Sequence, residues 1–258
     1  MGRIADALAK AEKELKRAGR AAQEGIHIVA SKNVYGVDAH IVSYIDPQCT
    51  IAEQYRMLRT NLHALNSGPP VRTLLITSAI KGEGKTVTTL NLATVMATDP
   101  EKKIAAVDCD LRRPAMHSLL GLELQPGLSE LLRGDVELDA VIRKTTVPNL
   151  AVVTAGKPPM NPSELIGSRR MADAIRELKK TFDYLIFDTP PVMAVTDAGV
   201  LGAMVDAVVL VVKAESTKRA VVRRAETLLK GAKARLVGCI LTNIREYAPY
   251  YIYRYHGK

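Results

Sequence analysis

The chain has 258 residues, 47% of them hydrophobic and 24% charged, with a formal net charge of +9. That is enough apolar material for one full α/β core with appendages, and no run of about 18 uncharged apolar residues exists to cross a membrane as a helix. The basic residues are scattered, so the charge reads as a generally basic surface, not a focused patch for nucleic acid or membrane.

In chain order, the first ten residues lack an apolar signal core, so no secretion signal is expected. Residues 4–18 form a basic amphipathic segment, with Ile4, Leu8, Ala11 and Leu15 at helical spacing. It suits docking on a partner or an acidic membrane surface, and equally suits a solvated helix. Residues 19–46 look irregular. A better helix is expected over 51–65, where Ile51, Tyr55, Leu58, Leu62 and Leu65 share one face. Ser67-Gly68-Pro69-Pro70 then breaks the chain.

From Val71 the pattern alternates. Strands are expected at 72–78, 103–108, 150–154, 183–188, 206–213 and 235–242. Helices are expected at 85–97, 162–180, 196–203 and 217–230, with short ones near 115–120 and 128–133. The strands are continuous apolar runs, which marks a parallel sheet covered on both faces. Ligands of such sheets bind beyond the C-terminal strand ends.

Three motifs sit at those ends. The first is Ser78-Ala-Ile-Lys-Gly-Glu-Gly-Lys-Thr86, a phosphate-binding loop. Gly82, Glu83 and Gly84 supply backbone N–H groups, and the two glycines keep Cβ atoms out of the phosphate's way. Gly84-Lys85-Thr86-Val87 opens a helix, whose positive end adds to the site. Lys85 is placed to reach the β- and γ-phosphates and the Thr86 hydroxyl to ligate Mg²⁺. Ala79 stands where the general pattern has its first glycine. The second motif, Asp108-Cys-Asp110-Leu-Arg112, gives two carboxylates two residues apart at a strand end, which suits a magnesium–phosphate site. The third is Asp188-Thr-Pro190-Pro191, a carboxylate after an apolar strand, the usual second element of a nucleotide site. Asn243, at the end of the last expected strand, by itself suits a plain strand cap; beside a nucleotide site it is also a candidate to read the base.

Cys49, Cys109 and Cys239 are far apart, with no Cys-x-x-Cys, and the five histidines show no ligand spacing. This argues for a reducing compartment and against a disulfide frame or a His/Cys metal site. The chain ends in a cluster, Tyr247, Tyr250, Tyr251, Tyr253 and Tyr255, which holds five of its nine tyrosines. A terminus this rich in tyrosine serves no core; an aromatic and basic tail can stack nucleic-acid bases.

Taken in order, the three motifs resemble one family, the bacterial tyrosine kinases of the capsule and exopolysaccharide type. Two further stretches look similar to that family: Pro158-Pro-Met-Asn-Pro-Ser-Glu-Leu165, and the Glu53-x-x-Arg56-x-x-Arg59 pattern associated there with ring assembly. Read by itself, that charge strip equally suits a surface pair on one helix. The resemblance covers roughly residues 50–258 and departs at Lys81, where the family usually has proline.

The resemblance implies a P-loop NTPase fold, an α/β domain with a central, mostly parallel sheet and helices on both faces. It implies an extension over 1–45, a kinase domain over 46–246 and the tyrosine-rich tail over 247–258. It implies ATP and Mg²⁺ as cofactors, with Lys85, Asp108, Asp110 and Arg112 catalytic, and Thr86, Asp108 and Asp188 around the metal. Asp108 would accept the tyrosine proton. The tail tyrosines would be the phosphoacceptors, modified in a homo-oligomeric ring. Its partners would be a separate membrane polysaccharide co-polymerase, or chain-length regulator, and a protein-tyrosine phosphatase, with no nucleic acid. Its place would be the cytoplasm, at the inner membrane face through that partner. Two other readings share part of the pattern. An ATPase switch of the partition or cell-division type carries a signature lysine where Ile80 stands, and would leave the tyrosine tail unexplained. A non-catalytic scaffold for polysaccharide export would not need an intact Lys85, Thr86, Asp108 and Asp188 set.

Overall fold

The structure is a computed structural model that describes residues 36–64 and 70–244. The segment 4–18, the break at residues 67–69 and the tyrosine tail lie outside the described residues. Six apolar runs form strands: β1 (Thr73–Ser78), β2 (Ile104–Asp108), β4 (Leu150–Val153), β5 (Tyr184–Asp188), β6 (Ala207–Lys213) and β7 (Leu236–Thr242). A three-residue strand, β3 (Ile142–Lys144), adds an antiparallel edge on β4. The sheet order is β3-β4-β2-β5-β1-β6-β7, and every pairing except β3 with β4 is parallel.

The continuous apolar runs are explained by helices on both faces. Successive strand residues point to opposite sides. Leu75, Val107, Phe187 and Leu210 pack into one core with α8 (Arg169–Thr181), α9 (Asp197–Gly202) and α10 (Arg219–Gly231). Leu74, Ile76, Ala106, Ile186 and Val209 pack into a second core with α3 (Lys85–Met96) and α2 (Thr50–Ala64). α3 is buried on nearly all sides, because the sheet covers one face and α2 the other. That is why it shows no amphipathic stripe in the sequence.

Most of the described part of 19–46, expected to be irregular, is packed. Val37 and Ile41 are buried in the second core, and α1 (Val42–Ile45) follows. Asn91 of α3 ties this stretch down: its Oδ1 accepts from Ser43 N at 2.8 Å and its Nδ2 donates to His40 O at 2.9 Å. The expected helix over 162–180 is two helices, α7 (Pro162–Ile166) and α8. Ser168 caps the second, accepting from Met171 N at 3.3 Å, which favours restarting a helix over continuing one. The remaining short helices are α4 (Met116–Leu119), α5 (Leu128–Arg133) and α6 (Leu138–Val141). α1, α6 and β3 are too short to leave a periodic signal.

The entry ends of the strands are stitched by Asp206. Its Oδ2 accepts from the backbone N–H of Arg72 at 2.9 Å and of Thr73 at 2.8 Å. The Arg72 guanidinium in turn donates to the carbonyls of Lys179, Phe182 and Asp183. This fixes β1 against β5 and β6, and so fixes the loop that leaves the far end of β1. Asp206→Ala strands two backbone donors; unfolding in urea is expected to show a loss of about 2 kcal/mol, or about 6 °C in melting temperature.

Candidate active site

β1 ends at Ser78, and α3 begins at Lys85 after a loop over 79–84. Gly82 and Gly84 have φ of +84° and +86°, a left-handed conformation that glycine adopts without steric cost. Thr86 lies in the first turn of α3, as does Val87. The loop is braced from behind by Glu83, which is 1% exposed. Its Oε2 accepts from Ile80 N at 2.8 Å, and its Oε1 accepts from Lys213 N at 3.1 Å and Thr217 Oγ1 at 2.5 Å. Thr242 Oγ1 donates to the Glu83 carbonyl at 2.8 Å. The Glu83 carboxylate is thus committed to the protein, and what it has left to offer a nucleotide is its backbone.

The other two motifs arrive beside this loop through strand register. Asp108 and Asp188 are paired neighbours on β2 and β5, and Asp188 also faces Ile76 of β1. Lys85 Nζ lies 3.2 Å from Asp110 Oδ2 and 3.7 Å from Asp188 Oδ2. Thr86 Oγ1 donates to Asp188 Oδ2 at 2.5 Å. Asp108 is fully buried; its Oδ1 accepts from Asp110 N at 3.1 Å and its Oδ2 from Ala115 N and Met116 N, each at 3.1 Å. It therefore shapes the turn over 108–116 as well as charging the site. Asp110 Oδ1 accepts from Arg113 N at 3.0 Å, leaving Oδ2 toward Lys85.

Three carboxylates meet one ammonium here, and the imbalance shows in their protonation. Burial, reinforced by the Asp188 charge, pushes the Asp108 carboxyl up to about 7, against the pull of the Met116 amide and Lys85. Burial likewise pushes Asp188 up to about 6, opposed by Lys85 and the Thr86 hydroxyl. Burial works against the charge on Lys85, but Asp188 and Asp110 outweigh it and the ammonium is held more firmly than usual. The Cys109 thiol, buried beside Asp108, is pushed well above its ordinary value. Asp188 Oδ1 is buried with no hydrogen-bond partner, and such an orphaned acceptor calls for water or a cation. A left-handed glycine loop, a helix N-terminus, a lysine and a hydroxyl next to an unsatisfied carboxylate fit a nucleotide with its divalent metal.

The remaining expected residues are placed differently. Arg112 points to the side: its Nε donates to Asp197 Oδ2 at 3.3 Å and its Nη2 to Ser163 Oγ at 2.9 Å. Ser163 Oγ donates to the buried Asp197 Oδ1 at 2.5 Å. Asp197 carries no motif and was not expected here; nothing in the sequence signals that α9 starts beside this turn. Asn243 is exposed, with φ of +56°, directly after β7. Glu53 and Arg56 pair within α2 at 2.6 Å. Arg59 reaches α3, donating to Val95 O and Thr98 Oγ1 at 3.0 Å each. Within one chain, then, Arg59 alone of this strip docks α2 onto α3, while Arg56 also donates to Pro47 O at 2.7 Å.

The raised carboxyls make stability fall with pH. A group whose folded value lies above its unfolded value of about 3.9 stabilises the fold fully below that pH and loses this contribution as pH rises through the folded value. The window here is from about pH 4 to 7. Asp188→Asn is expected to be more stable than the parent at pH 8, by about 1–3 kcal/mol, with the difference closing toward pH 4; parallel unfolding measurements across that range check it.

Residues 71–230 match the AAA domain family. The chain is 34% identical over 218 residues to the tyrosine-protein kinase YwqD of Bacillus subtilis (strain 168), across 84% of this chain and 91% of that protein. It is 36% identical over 209 residues to the putative tyrosine-protein kinase CapB of Staphylococcus aureus, across 80% and 91%. The solved kinase domain of Escherichia coli tyrosine kinase ETK superposes with a TM-score of 0.78 at 31% identity, over 91% of this chain and 88% of that one. The phosphate loop and its two acidic strand ends, together with this likeness over nearly the whole length of the relatives, show that the chain belongs to the bacterial tyrosine-protein kinase family.

Proposed function

We propose that this chain transfers the γ-phosphoryl group of ATP to the tyrosines of the 247–255 cluster on a second copy of itself. The observation that carries the reading is Lys85 held between Asp110 and Asp188 at the mouth of the phosphate loop. In the step, the bond from the γ-phosphorus to the β–γ bridging oxygen breaks and a bond from the tyrosine oxygen forms. ADP leaves, and the tyrosine proton passes to Asp108. Such a transfer needs mainly positioning and charge neutralisation. Lys85 gives its positive charge to the β- and γ-phosphate oxygens, and the loop's backbone grips them.

Thr86, Asp188 and Asp108 would hold Mg²⁺, which when bound would neutralise phosphate charge and favour departure of ADP. Asp108, held by burial above the ordinary carboxylate range in the free chain, serves as the general base. Its Oδ1 accepts a single backbone bond, from Asp110 N, and keeps a second acceptor site for the tyrosine proton. Asp110 and Arg112 support the site, and Asn243 reads the adenine. Ile80, standing where partition-type ATPases carry their signature lysine, weighs against that alternative. Lys85→Met is expected to lower phosphotyrosine on the purified chain more than 100-fold after incubation with ATP and magnesium; parent-level signal on immunoblots would refute the assignment.

The assembly follows from the same reading. α2 contributes a subunit interface of a ring-like homo-oligomer through Glu53, Arg56 and Arg59, beside the exposed Met57 and Ile51. No helix among the described residues is long and apolar enough to cross a membrane. On this reading a separate membrane-embedded co-polymerase of polysaccharide export recruits the chain to the cytoplasmic face and activates it. A protein-tyrosine phosphatase resets the tail. Five phosphotyrosines add roughly −8 to −10 charges, which cancels the net +9 of the chain and repels the tail from the acidic site. Phosphatase treatment is therefore expected to raise the oligomer mass measured by light scattering; an unchanged mass argues against the switch.

A further inference from the structure

The basic residues are scattered along the chain, yet the fold gathers them. Residues 218–235, which span α10 and the turn after it, hold seven basic residues against one acidic, a net of +6. Residues 169–181, which form α8, hold five against two, a net of +3. Together they account for the formal net charge of +9, so the rest of the sequence balances to zero. α8 and α10 pack into the same core and therefore cover the same face of the sheet. The other face carries α2, with a net of +1, and α3, whose one charged residue, Lys85, is turned into the phosphate site.

On α10 the charge stands on the solvent side. Val222, Ala225 and Leu229 are buried against the sheet, which turns Arg223 and Arg224 outward, and both are exposed. Neither makes an ion pair among the described residues. Arg223 and Lys230, seven residues apart, lie on one flank of the helix; Arg224 and Leu228, four apart, lie on the other. Glu226, the one acidic residue of the stretch, is 6% exposed and pairs with Lys230 Nζ at 2.7 Å. Leu228 is 45% exposed among these cations. On α8 the two acidic residues are likewise taken up along the helix, Asp173 by Arg176 and Glu177 by Lys180, and Arg169 and Arg170 stay exposed.

A partner for this face has to be anionic, broad and undemanding in register. A bilayer of anionic phospholipid meets all three. Arginine and lysine keep their charge at headgroup level while their stems lie along apolar matter, and an apolar side chain between them enters the headgroup–acyl boundary. Single-stranded nucleic acid is held on aromatic platforms, and residues 169–181 and 218–235 contain no Phe, Tyr or Trp. A duplex admits a helix into its groove, whereas α10 is seated lengthwise on the sheet with α9 beside it. α10 joins β6 to its parallel neighbour β7 and so runs back along the strands. A plane laid on α8 and α10 is then parallel to the sheet, and the strand ends beside Lys85 open to its side, where nucleotide enters unhindered.

We propose that the face formed by α8 and α10 docks directly on an anionic phospholipid bilayer, with Arg223, Arg224 and Lys230 on headgroup phosphates and Leu228 at the acyl boundary. This goes beyond recruitment by a membrane-embedded protein, because the contact is with the lipid itself, and it stands whether or not the kinase reading does. The hold is electrostatic, so it weakens with salt. Such a contact is reversible by itself, and a second contact on the same membrane multiplies it by raising the effective concentration.

The test sediments the full chain with vesicles of phosphatidylcholine alone and with vesicles in which about one-third is phosphatidylglycerol. The partition coefficient is expected to be at least about tenfold higher on the anionic vesicles, and to fall back when salt rises from about 0.1 to about 0.5 M. Arg223→Glu with Arg224→Glu, both exposed, is expected to lower it at least about fivefold at an unchanged melting temperature. Lys102→Glu with Lys103→Glu, the same charge change at the entry to β2, is expected to leave it in place. Arg223→Gln with Arg224→Gln removes charge without reversing it and is expected to give an intermediate loss. An equal loss in the two charge-reversed variants assigns binding to net charge and overturns the face. Equal partition of the parent onto both vesicles, partition indifferent to salt, or parent-level partition of the Arg223→Glu, Arg224→Glu variant overturns the proposal. A preference for duplex DNA over anionic vesicles at matched phosphate concentration assigns the face to nucleic acid and overturns it as well.

Discussion

One ammonium among three buried carboxylates is the constraint on which the site depends. Lys85 is the counter-charge for Asp110 and Asp188, while Asp108 is compensated mainly by backbone N–H groups. Buried carboxylates without full compensation are costly, and the raised values of Asp108 and Asp188 express that cost. Asp188 Oδ1 is left without a hydrogen-bond partner, and on the proposed reading a divalent cation would supply the positive charge that Lys85 alone does not.

The frame that holds this cluster is rigid for a simple reason. Its members stand at the tips of adjacent parallel strands, where register sets spacing to that of the strand ladder. Asp206 fixes one end of β1, and Glu83 fixes the loop at the other. Each acts as a buried or half-buried carboxylate receiving backbone N–H groups, a pattern repeated by Asp108 in the turn over 108–116 and by Glu130, which accepts from Gly127 N and Lys157 N. Four acidic side chains therefore serve as backbone clamps in a chain that is basic overall. Loops that would otherwise be mobile are held at the positions a phosphoryl transfer requires.

The family assignment and the geometry reinforce each other without being the same argument. The likeness to tyrosine-protein kinases gives the reaction type, while the arrangement around Lys85 gives a physical reason why a phosphoryl group would be stabilised there. Neither depends on the tail, which lies outside the described residues.

The sequence by itself determined the strands, the phosphate loop and the acidic strand ends. Apolar runs such as Leu74-Leu75-Ile76 and Val208-Val209-Leu210 are consistent with one environment only, a sheet buried on both faces, and glycine-lysine-threonine at a helix start has a local mechanism. The short elements α1, α6 and β3 escaped because so few residues display no period, whereas the short helices expected near 115–120 and 128–133 are α4 and α5; the break at Ser168 escaped because a cap outweighed propensity. What only the tertiary structure decided was partnership across the sheet. Asp197 reaches Arg112, Glu83 reaches Lys213 and Thr217, and Arg59 turns inward to α3, contacts between residues 36 to 134 positions apart. Local chemistry fixes which groups a segment carries; only the fold, by bringing distant segments within hydrogen-bond reach, fixes what those groups are used for.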